Sequence, residues 1–246
     1  MGRLGKAQSA LRGAIATRCA TRVLGSRLIN AHALRKLAFN CEYDIGYSRI
    51  QKNANSTTIV LMDSLSGKDV GVNASKKSIT RIRSMDIKTI RRLAEFQYFV
   101  VVRNPYSRTL SAFLQKFPKE RYRNEYGKFQ LDIDGFRAFV RWLDNGGSAK
   151  NSHWAPQLAQ MCFKLSDYDA VIKIENYNAE MREFLTQVGV PESKIDIAKS
   201  SASGSFHQTG ASSKLMQFYD RETIEIVKRV FESDFKTLGY DPDRLL

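Results

Sequence analysis

Along this chain the sharpest apolar run is Gln97–Val102 (QYFVVV), in which Phe99 to Val102 are uninterrupted aromatic and β-branched residues. Such a run predicts a strand buried on both faces. It stops at Arg103-Asn104-Pro105, since proline cannot donate to a sheet ladder. Two further strands are predicted at Gly46–Gln51 (GYSRIQ) and Tyr168–Glu175 (YDAVIKIE). After the first of these, a polar KNANS loop leads into an apolar helical start at Thr57–Leu65. Asp86 caps a predicted helix running through Arg91–Phe96 into the central strand. Helical spacing returns over Ser107–Lys116, with Leu110, Phe113 and Leu114 on one side and Pro118 as the stop. Asp132 or Asp134 caps a helix presenting Phe136, Phe139, Val140 and Leu143, closed by Gly146-Gly147. Ala179–Val188 predicts a helix ended by Gly189 and Pro191, and Asp220 caps a last one carrying Ile224, Val227, Val230 and Phe231 toward Tyr240. Ser200–Ser213, rich in serine and glycine and without periodicity, predicts a loop. Strands separated by helices imply an α/β fold: a three-layer domain with a central parallel sheet and ligands at the carboxyl ends of its strands.

Composition adds size and charge. With 246 residues, 43% of them hydrophobic, the chain suits one large globular domain or two small ones and is too apolar for disorder. The formal net charge of +14 predicts an anionic partner: nucleic acid, membrane surface, nucleotide or acidic glycan. The charge is unevenly placed. Residues 1–40 hold eight Lys/Arg and no acid, and Lys76–Arg123 holds thirteen against three acids, so the rest of the chain is net negative. The second block has the character of an anion-site wall or of a solvated helix face. The first sets residues 1–41 apart as a basic amphipathic segment, leaving 42–246 as the α/β domain. In it Leu4, Leu11, Ile15, Leu24 and Leu28 recur at loosely helical spacing, but no apolar run reaches a signal-peptide core. Three readings remain for that segment: a solvated basic tail, a membrane-surface helix or a transit peptide. Cys19, Cys41 and Cys162 are odd in number and scattered, which predicts neither a disulfide framework nor a metal site and suits a reducing compartment.

Candidate chemistry sits where predicted strands end. Lys52-Asn53-Ala54-Asn55-Ser56-Thr57-Thr58 follows a strand and opens a helix, so its backbone N–H groups and the helix dipole favour a phosphate or sulfate. Lys52 adds a movable charge, and the hydroxyls add donors. The Walker pattern is absent, because no glycine is present and the lysine precedes the loop, which disfavours an ordinary ATP or GTP site. A turn with an N-cap is the structural alternative. Arg103 stands at the carboxyl end of the central strand and Ser111 eight residues on, where a guanidinium and a hydroxyl can share a phosphate. The alternative for Arg103 is a structural salt bridge.

The pair Ile50–Thr58 (IQKNANSTT) and Val100–Phe117 (VVVRNPYSRTLSAFLQKF) resembles the two donor-binding motifs of the sulfotransferases, in particular the carbohydrate sulfotransferases. The first is similar to the loop around the 5′-phosphosulfate of 3′-phosphoadenosine 5′-phosphosulfate (PAPS). The second is similar to the 3′-phosphate motif R-[DN]-P-x-x-R-x-x-S, matching at Arg103, Asn104, Pro105, Arg108 and Ser111. His153–Gln157 (HWAPQ), Tyr168–Asn176 and Ser233–Tyr240 extend the likeness over roughly residues 46–240. Gln51 departs from it, standing where the family's loop often has proline. The resemblance implies a P-loop-like strand-loop-helix and metal-independent, in-line transfer of a sulfuryl group from PAPS to a hydroxyl of a carbohydrate acceptor, with anionic and lipid-linked acceptors among the options. It assigns donor binding to Lys52, Asn53, Ala54, Asn55, Ser56, Thr57, Arg103 and Ser111. Without a visible Golgi anchor, the expectation is a bacterial-type enzyme in the cytoplasm, touching the membrane through residues 1–40 if at all, with no nucleic-acid partner.

Transfer of this kind asks for positive charge on the leaving oxygen, for which Lys52 fits, and for a base. Of three histidines, His32 lies in the basic segment and His207 in the Ser/Gly loop, so His153 is the candidate base, with an ordinary imidazole titrating near neutral pH. A structural His–Trp corner is its alternative, and Glu175 is the rival base. Trp154 is either a sugar platform or a core contact. The Ser200–Lys214 loop, with His207 and Lys214, is either a cover over the nucleotide or a linker. Two other functions compete: a nucleic-acid-binding protein, for which no known motif is present, and a nucleotide kinase with an atypical phosphate loop.

Overall fold

A computed structural model describes residues 3–68, 71–203 and 210–245. The chain divides into two compact units. The described residues of the first fall in Met1–Arg49, Ala54–Val101 and Met161–Phe206, and those of the second in Ile50–Asn53, Val102–Gln160 and His207–Leu246.

The first unit carries a four-stranded sheet in the order β1 (Ala38–Asn40), β2 (Ile45–Ser48), β3 (Gln97–Val102) and β4 (Ala170–Lys173). β2 and β3 run parallel, with Ile45 opposite Gln97 and Ser48 opposite Val100, as expected for strands joined through helices. β1 is antiparallel to β2, Ala38 facing Tyr47, so the sheet is mixed rather than wholly parallel. Its cause is local: only four residues separate the two strands, enough for a hairpin and too few for a crossover. All of β3 from Tyr98 onward is buried, as its unbroken apolar run requires. The rings of Tyr47 and Phe99, paired across the strands, stack at 4.9 Å, and Phe184 of the Tyr177–Gln187 helix packs on Phe99 at 5.0 Å. Gly46 is opposite Tyr98, and a Cβ there would lie 2.4 Å from the ring, so the aromatic covers a position that only glycine can hold.

Several boundaries shift. The predicted strands shorten to Ile45–Ser48 and Ala170–Lys173, the latter turning into a 3-10 segment at Ile174–Asn176. The helix capped by Asp86 ends at Arg91. Ser200–Ser203, expected in a loop, are the end of a helix over Glu192–Ser203; its buried Ile195, Ala198 and Ala202 share one face that the serines disguise. His207 lies outside the described residues. The basic Arg3–Leu24 segment is a helix lying against Ile82–Ser84 and the Ile87–Arg91 helix. Among the described residues no helix is long and apolar enough to cross a membrane.

The second unit is built on aromatic packing. Phe113 of the Pro105–Lys116 helix and Phe117 just after it meet Phe136 and Phe139 of the Ile133–Asp144 helix, with ring centroids 5.1–5.6 Å apart. Both helices are capped: Asn104 accepts from Tyr106 N, with Pro105 in the first turn, and Asp132, one of the two expected caps, accepts from Gly135 N. Asp220 caps Arg221–Val230 and also takes two bonds from Arg137. The last helix breaks at Phe231 and resumes over Glu232–Leu238.

Candidate active site

The end of β3 delivers Arg103 to the start of the Pro105–Lys116 helix, and that helix organises the rest. Ser107, Ser111 and Gln115 are four residues apart and so lie along one helix face. At one end of that face Arg103 Nε donates to Ser107 Oγ at 2.9 Å, while Arg103 Nη1 donates to the Lys52 carbonyl at 3.2 Å. At the other end Lys52 Nζ donates to Gln115 Oε1 at 2.9 Å. Buried Ser111 lies midway between them along the face. Arg103 thus reaches both a hydroxyl of the helix and a carbonyl of the loop.

Gln157 ties the loop to the strand end. Its Oε1 accepts from Arg103 N at 3.0 Å and from Asn53 Nδ2 at 2.7 Å, and its Nε2 donates to Arg103 O at 2.8 Å. The Asp234 carboxylate in turn accepts from Gln157 N and Leu158 N, at 2.7 and 3.1 Å. Burial raises the pKa of Asp234, against these backbone bonds and the charge of Arg108. Arg108 itself is fully buried, donating to the carbonyls of Gln51 and Ser152, and burial lowers it to about 10. It acts as a strut for the loop rather than as an open anion contact.

Lys52 and Ala54 take left-handed backbone angles, φ 74° and 50°, unusual for residues with a Cβ and typical of functional loops. Burial, then the charges of Arg103, Lys116, Arg108 and Lys119, push the Lys52 ammonium down to about 6. His153 is pushed down to about 3, by burial and then Lys116, Lys52, Arg108 and Lys119. Titration near neutral pH, expected for this ring, is thereby corrected: desolvation and surrounding cations both penalise the imidazolium. Its tautomer follows from its neighbours. Asn151 Oδ1 accepts the His153 backbone N–H at 3.0 Å, so it is the oxygen, and at 2.7 Å it also holds Nδ1, which must carry the hydrogen. Nε2 is left with its lone pair. Lys116, Arg108 and Lys119 bear on Lys52 and His153 alike.

Lys52, Asn53, Arg103, Ser111 and His153 thus belong to the second unit, and Ala54, Asn55, Ser56 and Thr57 to the first, in the opening turn of the Asn55–Leu65 helix. Thr57 is buried there, and Asn55 Oδ1 accepts from Arg49 Nε at 3.0 Å. Arg49, lowered by burial and the nearby Arg81, is a cation that sequence reasoning passed over. Gln157 and Asp234 were missed as organising groups, although both lie in segments that carried the family likeness. Trp154 is fully buried, donating to Gly147 O and stacked on Phe117 at 5.8 Å, which makes it a core residue. Glu175 is exposed in the first unit, and Lys214 is exposed in the second. Among the described residues no group of three His, Cys, Asp or Glu side chains is placed to hold a metal ion.

In this α/β protein the strand end and the helix after it gather Arg103, Arg108, Lys116 and Lys119 about Lys52. The family model described as the sulfotransferase family matches residues 35–241, and the chain belongs to that family. Carbohydrate sulfotransferase 14 of Danio rerio is 29% identical over 185 residues, covering 65% of this chain and 50% of that protein. Carbohydrate sulfotransferase 9 of Homo sapiens is 28% identical over 137 residues, covering 47% of this chain and 31% of that protein. The chain therefore spans half or less of the length of these relatives. No solved structure matches.

Proposed function

We propose that this protein transfers a sulfuryl group from PAPS to a carbohydrate hydroxyl. The observation that carries the proposal is the helix face from Arg103–Ser107 to Gln115–Lys52, where the charges of Arg103, Lys116, Arg108 and Lys119 all bear on Lys52. That charge pattern suits a donor bearing several anionic groups. Arg103 and Ser111 take the 3′-phosphate, and Lys52 with the backbone N–H of Asn53 takes the 5′-phosphosulfate. When the donor enters, its negative charge offsets the mutual repulsion of the cations, and Lys52 regains its proton.

In the reaction the acceptor oxygen forms a bond to sulfur as the bond from sulfur to the 5′-phosphate oxygen breaks. The electron pair of the broken bond stays on that phosphate oxygen, where the Lys52 ammonium stabilises it. The hydroxyl proton passes to His153 Nε2, whose partner Nδ1–H is held by Asn151. A bound dianion near Lys116 and Lys52 raises the His153 pKa from its low ligand-free value, improving it as a base. The test is to mix purified protein with PAPS and a panel of glycans and follow release of the 3′,5′-bisphosphate PAP. Acceptor-dependent release supports the proposal. Release that needs no carbohydrate, or none with any glycan while PAP binds, counts against the acceptor class.

A further inference from the structure

We propose that the outer face of the Arg3–Leu24 helix is a docking surface for an anionic lipid bilayer. The helix has two unlike sides. Ala16, Ala20 and Leu24, four residues apart, are buried, and this side faces the elements Ile82–Ser84 and Ile87–Arg91. At Gly13 an added Cβ would come within 3.4 Å of Arg83 Cβ, which marks how close the backbone comes on that side. On the opposite side Leu11 is 63% exposed and Ile15 54%. Arg18 and Arg22 continue the same stripe, because steps of four, three and four residues return to one azimuth of an α-helix. The outer side is thus two bare branched aliphatics followed by two exposed guanidiniums.

No acid lies anywhere in the helix. The elements packed against it add exposed Arg83, Lys88 and Arg91, and Ile87 is 45% exposed. The acids there are engaged: Asp86 caps Thr89 N–H, and Glu95 pairs with Arg92. A surface that pairs insertable aliphatics with unneutralised arginines matches a bilayer interface, where apolar side chains enter the acyl boundary and guanidiniums fork onto lipid phosphates. A second copy of the chain would bring two arginine-rich faces together without counter-charge. A nucleic acid would meet Arg18 and Arg22 but has no use for Leu11 and Ile15, and no aromatic on this face offers stacking.

The proposal is independent of the sulfotransferase reading. The test is cosedimentation of the full chain with phosphatidylcholine vesicles containing about 30% phosphatidylglycerol, and with vesicles of phosphatidylcholine alone. Wild type should pellet with the anionic vesicles and stay in solution with the neutral ones. Leu11→Ser/Ile15→Ser, which leaves the charge unchanged and alters only exposed positions, should lower the partition coefficient on the order of tenfold or more. Arg18→Gln/Arg22→Gln should lower it similarly, and both variants should keep the wild-type melting temperature. No pelleting of wild type with anionic vesicles overturns the proposal, as does full binding by Leu11→Ser/Ile15→Ser, which would mark mere polybasic attraction. A vesicle-free dimer lost on Leu11→Ser/Ile15→Ser would assign the face to a second copy instead. Tighter binding to a DNA duplex that depends on Arg18 and Arg22 alone would assign it to nucleic acid.

Discussion

Lys52 is the residue whose environment is most at odds with its chemistry, a lysine held among four other cations and brought down to about 6. Above that pH the ligand-free amine is mostly neutral, and an anionic ligand restores the charge. Binding therefore takes up a proton, so affinity for PAP should fall as pH rises from about 6. Calorimetry of PAP binding near pH 8 in buffers of different ionisation enthalpy should show this uptake in wild type and its loss in Lys52→Ala. With saturating PAPS, Lys52→Ala should also lose turnover more than donor affinity, because the charge is needed most as the leaving oxygen becomes negative. His153→Ala should cost on the order of 10²–10⁴ in turnover with PAP affinity kept. An unchanged turnover would hand the base role to another group. The residue types at these positions were legible from strand-loop-helix order and the family motif. Their electrostatics were not, since burial and the approach of Lys116 and Lys119 depend on how the helix after Pro105 is packed.

At the scale of elements, β2 and β3 are held in register by a contact in which Tyr98 lies over Gly46 and its hydroxyl donates to Leu93 O at 2.8 Å. Gly46→Ala would set a Cβ 2.4 Å from a ring tethered at its far end. The expected loss is about 1–3 kcal/mol of stability by denaturant titration. A second element-level device is Asp234, on the Glu232–Leu238 helix, which fixes Gln157 and through it Arg103. Asp234→Ala should destabilise the fold and weaken PAP binding together, because it frees the buried Gln157 N–H and the half-buried Leu158 N–H and loosens the strand end. Strand β3 and the helix after Pro105 were plain in the sequence, one from a continuous apolar run and the other from a proline-led amphipathic repeat. The antiparallel β1 and the Glu192–Ser203 helix were not. β1 is three residues long, and in the helix the serines carry no apolar signal of their own.

Over the whole molecule, net charge of +14 falls partly on a group of cations acting on Lys52 in the second unit and partly on an arginine-bearing helix in the first. Composition pointed only to an anionic partner of some kind, and the motif order singled out a sulfotransferase among the bearers of such charge. The central claim, that the strand end at Arg103 recognises a 3′-phosphate, is tested most directly by calorimetric titration of wild type and Arg103→Ala with PAP and with ADP, which lacks that group. The account predicts that wild type prefers PAP and that Arg103→Ala loses roughly 1.5–3 kcal/mol of PAP affinity while ADP binding barely changes. Equal affinity of wild type for PAP and ADP, or equal losses for both on substitution, would contradict it.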